Sequence, residues 1–365
     1  GAIIFTANDN TYSGAITLGA TSTIISTGGA QTISATVNGG YGLTITANGN
    51  LTISGAVGQN TDLSSYAVTT TGSATLTFDD PGEGDEIKTT GNQTYTAAGG
   101  IVLNGHIIFF SGGTVNFASA LSGSGSNNSG NHNLVVTGDV DIDGAITSIR
   151  GISITETSNI GANITTSDIQ SYTGATTLSA NVVLTTSNDN IRLYGTVNSE
   201  DSTRRNLTLN TGGNSALIIL TGDIGGVNPL GEIVITGALD LNTVVTDITS
   251  ISVSGVSNIC CWITATGTQT YSGTVTLSET DEYINLTGTT IQFAAVDGAK
   301  NLRITGNLDL NGAITEIGTL RVTGTSNLGA NVTTTGTQIY SGAVTLSTNA
   351  TLTSSNDNFT FSDAI

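Results

Sequence analysis

Positive charge is the scarcest property of this chain. Of its 365 residues only 8 are Lys or Arg, against 27 Asp or Glu, for a net charge of −19. Nucleic acid and anionic lipid both need a basic face, so neither is an expected partner. Proline occurs twice and methionine not at all, charged residues make up 10%, and hydrophobic residues reach 37%. Disordered segments combine low hydrophobicity with Pro and Lys/Glu enrichment, so this composition predicts an ordered chain. The only cysteines are the neighbours Cys260 and Cys261, which excludes a disulfide framework. Two small apolar side chains beside Trp262 are the expected reading, with a strained bond between neighbours as the alternative. No apolar run approaches the ~18 residues that span a bilayer, so membrane insertion is not expected. The chain opens at Gly1 without Met or a signal-peptide pattern, the expected start of a processed chain or of a segment from a longer one. Helical periodicity with flanking caps is missing throughout.

What remains is Gly (48 residues), Thr, Ser, Asn, Val and Ile, and it is written in repeats. The clearest is Thr266-Gly-Thr-Gln-Thr-Tyr-Ser-Gly-Thr-Val-Thr-Leu277, echoed at Thr11–Leu18, Ser171–Leu178 and Ile339–Leu346, and more loosely at Gln93–Thr96. Short β-branched runs such as Thr23–Ser26, Leu43–Thr46 and Leu51–Ser54 end at Gly or Asn. They lack the Asn-Gly hairpin signals of an antiparallel sheet. Runs at this spacing predict an all-β coil with three strands and about 20 residues per turn, about 18 coils in the whole chain.

Residues 1–133 read as irregular N-terminal coils within a single solenoid spanning 1–365. Asp79–Glu86 and Ser122–Gly130 read as loops thrown out from them. From 134 three modules follow, at 134–232, 233–301 and 302–365. Leu134-Val-Val-Thr-Gly-Asp-Val-Asp-Ile-Asp143 aligns with Ile233–Asn242 and Leu302–Asn311. The step from the Gly of this block to the Tyr of the next is identical each time: 138 to 172, 237 to 271, 306 to 340. One length difference, around Asn198 to Leu230, predicts an extra coil or loop carrying Arg204 and Arg205. Apolar residues fall at alternate positions (Val140/Ile142, Leu239/Leu241, Leu308/Leu310), with Asp141, Asp240 and Asp309 facing away, the pattern of a strand with one buried face. Asn159, Asn258 and Asn327 are expected at inward turns, bonding backbone of adjacent coils.

The Leu-x-Ile-Thr-Gly-Asn/Ala-Leu-Asp-Leu-Asn units and the Tyr-Ser-Gly-Ala-Val-Thr-Leu block resemble the repeats of filamentous-haemagglutinin-like bacterial surface exoproteins, best over 134–365. The resemblance implies a right-handed parallel β-helix that serves as an adhesin or surface stalk, extracellular or on the bacterial cell surface. Its expected partners are copies of itself, end to end or lateral, and glycans or a host or neighbouring cell surface. Both termini of the sequence read as strand without a cap, and an uncapped coil templates further strands. A carbohydrate-active β-helix enzyme or a tail-spike-like glycan-binding module is the alternative.

Candidate chemistry is thin. Asp139-Val-Asp-Ile-Asp-Gly144 matches the opening of a calcium loop, but its twelfth position is Arg150 rather than a bidentate Glu. The carboxylates Asp79, Asp80, Glu83, Asp85 and Glu86, on a Gly-containing loop, form the better candidate for a hard cation such as calcium, against the alternative of a solvated loop. His106 and His132 stand apart, with no partners at ligand spacing. No catalytic residue and no cofactor are expected, since nucleophilic catalysis needs a positioned base. The Tyr series 12, 95, 172, 271 and 340 reads as packed aromatics, with sugar stacking as the alternative.

Overall fold

A computed structural model of the chain describes residues 2–5, 9–79, 86–105, 107–124, 132–213, 216–278, 283–355 and 357–365. Among them all regular structure is β-strand. Parallel strands follow one another as turns of a β-solenoid, roughly 21 residues per turn and about 16 turns in all. The expected 18 coils are too many because some turns are longer: Leu51 pairs with Leu76, and Leu76 with Ile101. The chain divides into two compact units, residues 1–182 and 183–365.

In the first unit most strands pair with the third one on. One ladder runs through Leu43–Ala47, Tyr66–Thr70, Gln93–Ala97, Thr114–Phe117, Asp139–Ile142 and Ser158–Ile160. A second runs through Leu51–Ile53, Leu76–Asp79, Ile101–Asn104, Leu121–Gly123 and Ile146–Ile149. Because side chains alternate along a strand, in-register stacking carries each apolar column inward; Ile142 and Ile160, for example, lie over one another and are fully buried. Each such side chain contributes about 1.5–3 kcal/mol by leaving water. A cluster of Tyr66, Phe78, Tyr95, Phe110 and Phe117 widens this core, with edge-on and stacked rings 5.1–6.0 Å apart.

The second unit repeats the plan. Leu207, Ile233, Ile251, Gln269 and Ile291 stack in one column. The length difference near Asn198–Leu230 is an extra coil: Arg205–Asn210 and Leu217–Leu220 pair onward with Leu230–Thr236 and Ala238–Leu241, and Ile224 bridges Val197 and Val245. Arg204 staples this coil to later ones, donating to the carbonyls of Leu230 (2.9 Å) and Asp247 (2.7 Å) and to the Asp247 carboxylate (2.6 Å).

The three modules share backbone detail as well as sequence. Ser148, Asp247 and Glu316 take positive φ values of 56°, 50° and 58°. Each lies where the register slips, between Ile146/Ile149, Val245/Ile248 and Ile314/Ile317. The glycine of the Tyr-Ser-Gly block has a steric cause. A Cβ on Gly273 would sit 2.3 Å from the carbonyl oxygen of Gly255 in the preceding coil, so only glycine lets the coils approach at this corner.

The polar part of the core is one recurring clasp. The hydroxyls of Tyr95, Tyr172, Tyr271 and Tyr340 donate to the side-chain oxygens of Gln93, Gln170, Gln269 and Gln338 at 2.6, 3.0, 2.9 and 3.0 Å. Each Gln Nε2 then donates to a backbone carbonyl six residues earlier: Ile87, Ile164, Ile263 or Val332. For three of them it also reaches a carbonyl of the next coil, that of Ser111, Thr287 or Thr353, at 2.8 Å. The clasp satisfies buried bends that aliphatic side chains would leave without donors. It also exposes two lapses. Gln31 is followed two residues on by Ile33, and Tyr66 is preceded two residues back by Ser64; among the described residues neither the Gln31 Oε1 nor the buried Tyr66 hydroxyl has a partner.

Candidate functional site

The acidic candidate is only partly within view. Asp80, Glu83 and Asp85 lie outside the described residues. Asp79 closes the strand Leu76–Asp79 and accepts a hydrogen bond from Asn104 Nδ2 at 2.7 Å; Glu86 opens Glu86–Lys88. Asp79 and Glu86 border one small recess with Phe78 and Ile87. Among the described residues no group of three or more His, Cys, Asp or Glu is placed to hold a metal.

The other candidates have structural occupations. Asp139 accepts from the backbone N–H (3.1 Å) and hydroxyl (2.6 Å) of Thr157. Asp141 accepts from Asn116 at 2.6 Å. Asn159, Asn258 and Asn327 are not at inward turns: they sit mid-strand on the outer face, where Asn258 and Asn327 each donate to Asp240 and Asp309 of the coil before, both at 2.9 Å. The inter-coil role expected of them falls instead to turn asparagines. Asn92, Asn190 and Asn331 accept the N–H of Thr114, Leu217 and Thr351 in the next coil. His106 lies outside the described residues. His132 is buried, with Nδ1 against the carbonyl of Gly105 and Nε2 against that of Ser124. Tyr95, Tyr172, Tyr271 and Tyr340 are buried in the clasp, which removes them as sugar-stacking groups. Burial pushes their hydroxyls above the ordinary phenol range.

Cys260 and Cys261 are joined to one another. The expected pair of buried thiols is therefore corrected: both side chains sit at a half-exposed turn, where no core contact competes with the bond. They take the place of Gly161-Ala162 and Gly329-Ala330 in the sister modules, and Trp262 takes the place of Asn163 and Asn331. Trp262 is 52% exposed and donates from Nε1 to the carbonyl of Tyr283 at 3.3 Å.

Trp262 forms one wall of an open groove of about 650 Å³ in the second unit, lined also by Thr264, Tyr283, Asn285, Thr287, Arg303, Thr305 and Arg321. Strand pairing sets its floor: Thr264, Thr287 and Thr305 stack in one outer column, and Asn285, Arg303 and Arg321 in the next. Both arginines are exposed, and neither makes an ion pair or hydrogen bond with a described residue. Chain order alone does not group them, since residues far apart in the chain become neighbours only through the coil register.

No protein-family model, curated protein or solved structure matches this chain.

Proposed function

We propose that the chain is a non-enzymatic structural and adhesive β-solenoid, part of an exported bacterial surface protein of the filamentous-haemagglutinin-like kind, and that it grows by adding coils. One observation carries the reading. Parallel coils repeat in register through the described residues, as Leu320, Gln338 and Phe359 lie over one another, and Phe359 is 41% exposed. Coils stacked this way accept a further parallel coil at an exposed face, whether that coil comes from the same chain or from a second copy. The Cys260–Cys261 bond supports an oxidising compartment, and the net charge of −19 suits a soluble surface structure.

Sedimentation velocity across a concentration series tests the reading, with Phe359→Glu beside the parent chain. The expected result is concentration-dependent assembly of the parent and its loss in the variant. A parent that sediments as one species at every concentration overturns it.

A further inference from the structure

Three departures from the repeat meet in one place. At the position of Trp262 the sister modules have Asn163 and Asn331; the latter accepts the N–H of Thr351 at 2.8 Å and so serves the coil ladder. At the position of Arg303 they have Val135 and Val234, and at that of Arg321 they have Ser153 and Ser252. The coil does not need Trp, Arg and Arg at these sites, because the other modules fold in the same register without them. All three line the same groove of about 650 Å³.

The arginines make the point sharper. Arg303 and Arg321 are direct partners on neighbouring strands, about 4.8 Å apart along the coil stack. Like charges directly opposite on a sheet destabilise it. In a chain with 8 basic residues, four others are held in ion pairs, Lys88 with Asp62, Arg150 with Asp168, Arg204 with Asp247 and Arg205 with Asp201. This stacked pair has no such partner among the described residues.

From this convergence we propose that the groove is a binding site for an acidic glycan, a chain of pyranose rings bearing carboxylates. The two guanidiniums present paired N–H donors in the fork that matches a carboxylate bidentately. The exposed indole supplies a flat apolar wall for the C–H face of a sugar ring. Thr264, Thr287, Thr305 and Asn285 supply the hydroxyl and amide groups that exchange hydrogen bonds with ring hydroxyls. The coil spacing places these groups at steps comparable to the advance of an extended polysaccharide, so successive rings meet successive coils. The disulfide at Cys260 and Cys261 closes the turn immediately before Trp262, which limits how far the indole wall can swing. The described lining holds cations, hydroxyls, an amide and aromatics, which is the chemistry of recognition. The overall negative charge does not forbid the ligand: at physiological ionic strength charges beyond about 8 Å are screened, and the arginines act at contact. This site does not depend on the assembly of coils.

Trp262 is the only tryptophan in the chain, so its fluorescence reports on this groove alone. The experiment titrates the full chain with a galacturonic acid tetramer, a neutral glucose tetramer and sodium sulfate at matched ionic strength, by fluorescence and calorimetry. The expected result is a saturable change with the uronate tetramer that weakens with added salt, little response to the neutral tetramer, and sulfate competing only weakly. Arg303→Gln and Arg321→Gln should each lower affinity about tenfold or more, and should hold or raise the melting temperature because each removes one of two facing like charges. Trp262→Leu, followed by calorimetry, should also weaken binding. Equal binding of both tetramers, or uronate affinity indifferent to the arginine variants, overturns the proposal. So does full competition by sulfate, which would make the pair a free-anion site. Destabilisation by Arg303→Gln with no uronate binding also overturns it, by showing that the arginines serve carboxylates of this chain; Glu279, Asp281 and Glu282, outside the described residues, directly precede Tyr283 in the sequence.

Discussion

Breaking the buried clasp at Gln269 and Tyr271 puts a number on how the coils are held. Tyr271→Phe keeps the ring stacked 5.4 Å from Phe293 and removes only the hydroxyl that donates to Gln269 at 2.9 Å. One acceptor is left unmade in a dry site, at a cost of about 1–2 kcal/mol. Gln269→Leu does more. It strands the Tyr271 hydroxyl and removes the donor from the carbonyls of Ile263 (3.1 Å) and Thr287 (2.8 Å), for about 2–4 kcal/mol in all. In the double variant the stranded hydroxyl is gone, so the combined cost should fall short of the sum by about 1 kcal/mol. The assay is urea unfolding of all four proteins, followed by circular dichroism and by the fluorescence of Trp262, the neighbour of Ile263 in the preceding coil. Costs that add to within about 0.5 kcal/mol would mean the two side chains act independently, and the clasp would then be no more than a contact.

Tyr66→Phe, by contrast, removes a buried hydroxyl that has no partner among the described residues; stability should hold or rise, and a loss above about 1 kcal/mol in the same assay would reveal a partner for it. Gly273→Ala drives a methyl to 2.3 Å from the Gly255 carbonyl and should cost about 1–3 kcal/mol. Gly14, in the first copy of the motif, has nothing within 4 Å of its would-be Cβ, so its Ala variant should melt within about 0.5 kcal/mol of the parent. Alkali should be selective. Tyr66, Tyr95, Tyr172, Tyr271 and Tyr340 all have hydroxyl pKa values raised chiefly by burial, so the folded chain keeps these protons where the unfolded chain loses them. Their contribution is fully present below the unfolded value of about 10 and is lost above it, by up to about 1.4 kcal/mol per pH unit per tyrosine. Melting temperatures should therefore stay flat towards pH 10 as far as these groups are concerned and drop steeply beyond, and a flat alkaline limb would contradict their burial.

The solenoid was legible in the sequence because alternation in short runs and a constant step from Gly to Tyr both reflect coil register directly. Leu239 and Leu241 announce a buried face, and the repeated interval from Gly237 to Tyr271 leaves no room for an insertion between them. The clasp was equally present as Thr-x-x-x-Gln-x-Tyr at 89–95, 166–172 and 334–340. Tyrosine alone drew notice there, because a glutamine between Thr residues looks like surface text until its Nε2 is seen among buried carbonyls. Asn258 and Asn327 misled for a related reason: an asparagine serves an inward turn or an outer ladder equally well, and only the burial of its neighbours decides. The groove was not legible. Trp262, Arg303 and Arg321 are separated by whole coils, and their meeting depends on which strand pairs with which. The acidic stretch Asp79–Glu86 stood out for charge density alone, which says nothing of where its carboxylates point.

Electron microscopy of the purified chain over a concentration series tests the central claim, that this is a coil built to be continued, most directly. The account predicts filaments that lengthen with concentration, carry an axial repeat of ~4.8 Å, and fail to form with Phe359→Glu. Single particles of one size at every concentration, in parent and variant alike, would contradict it.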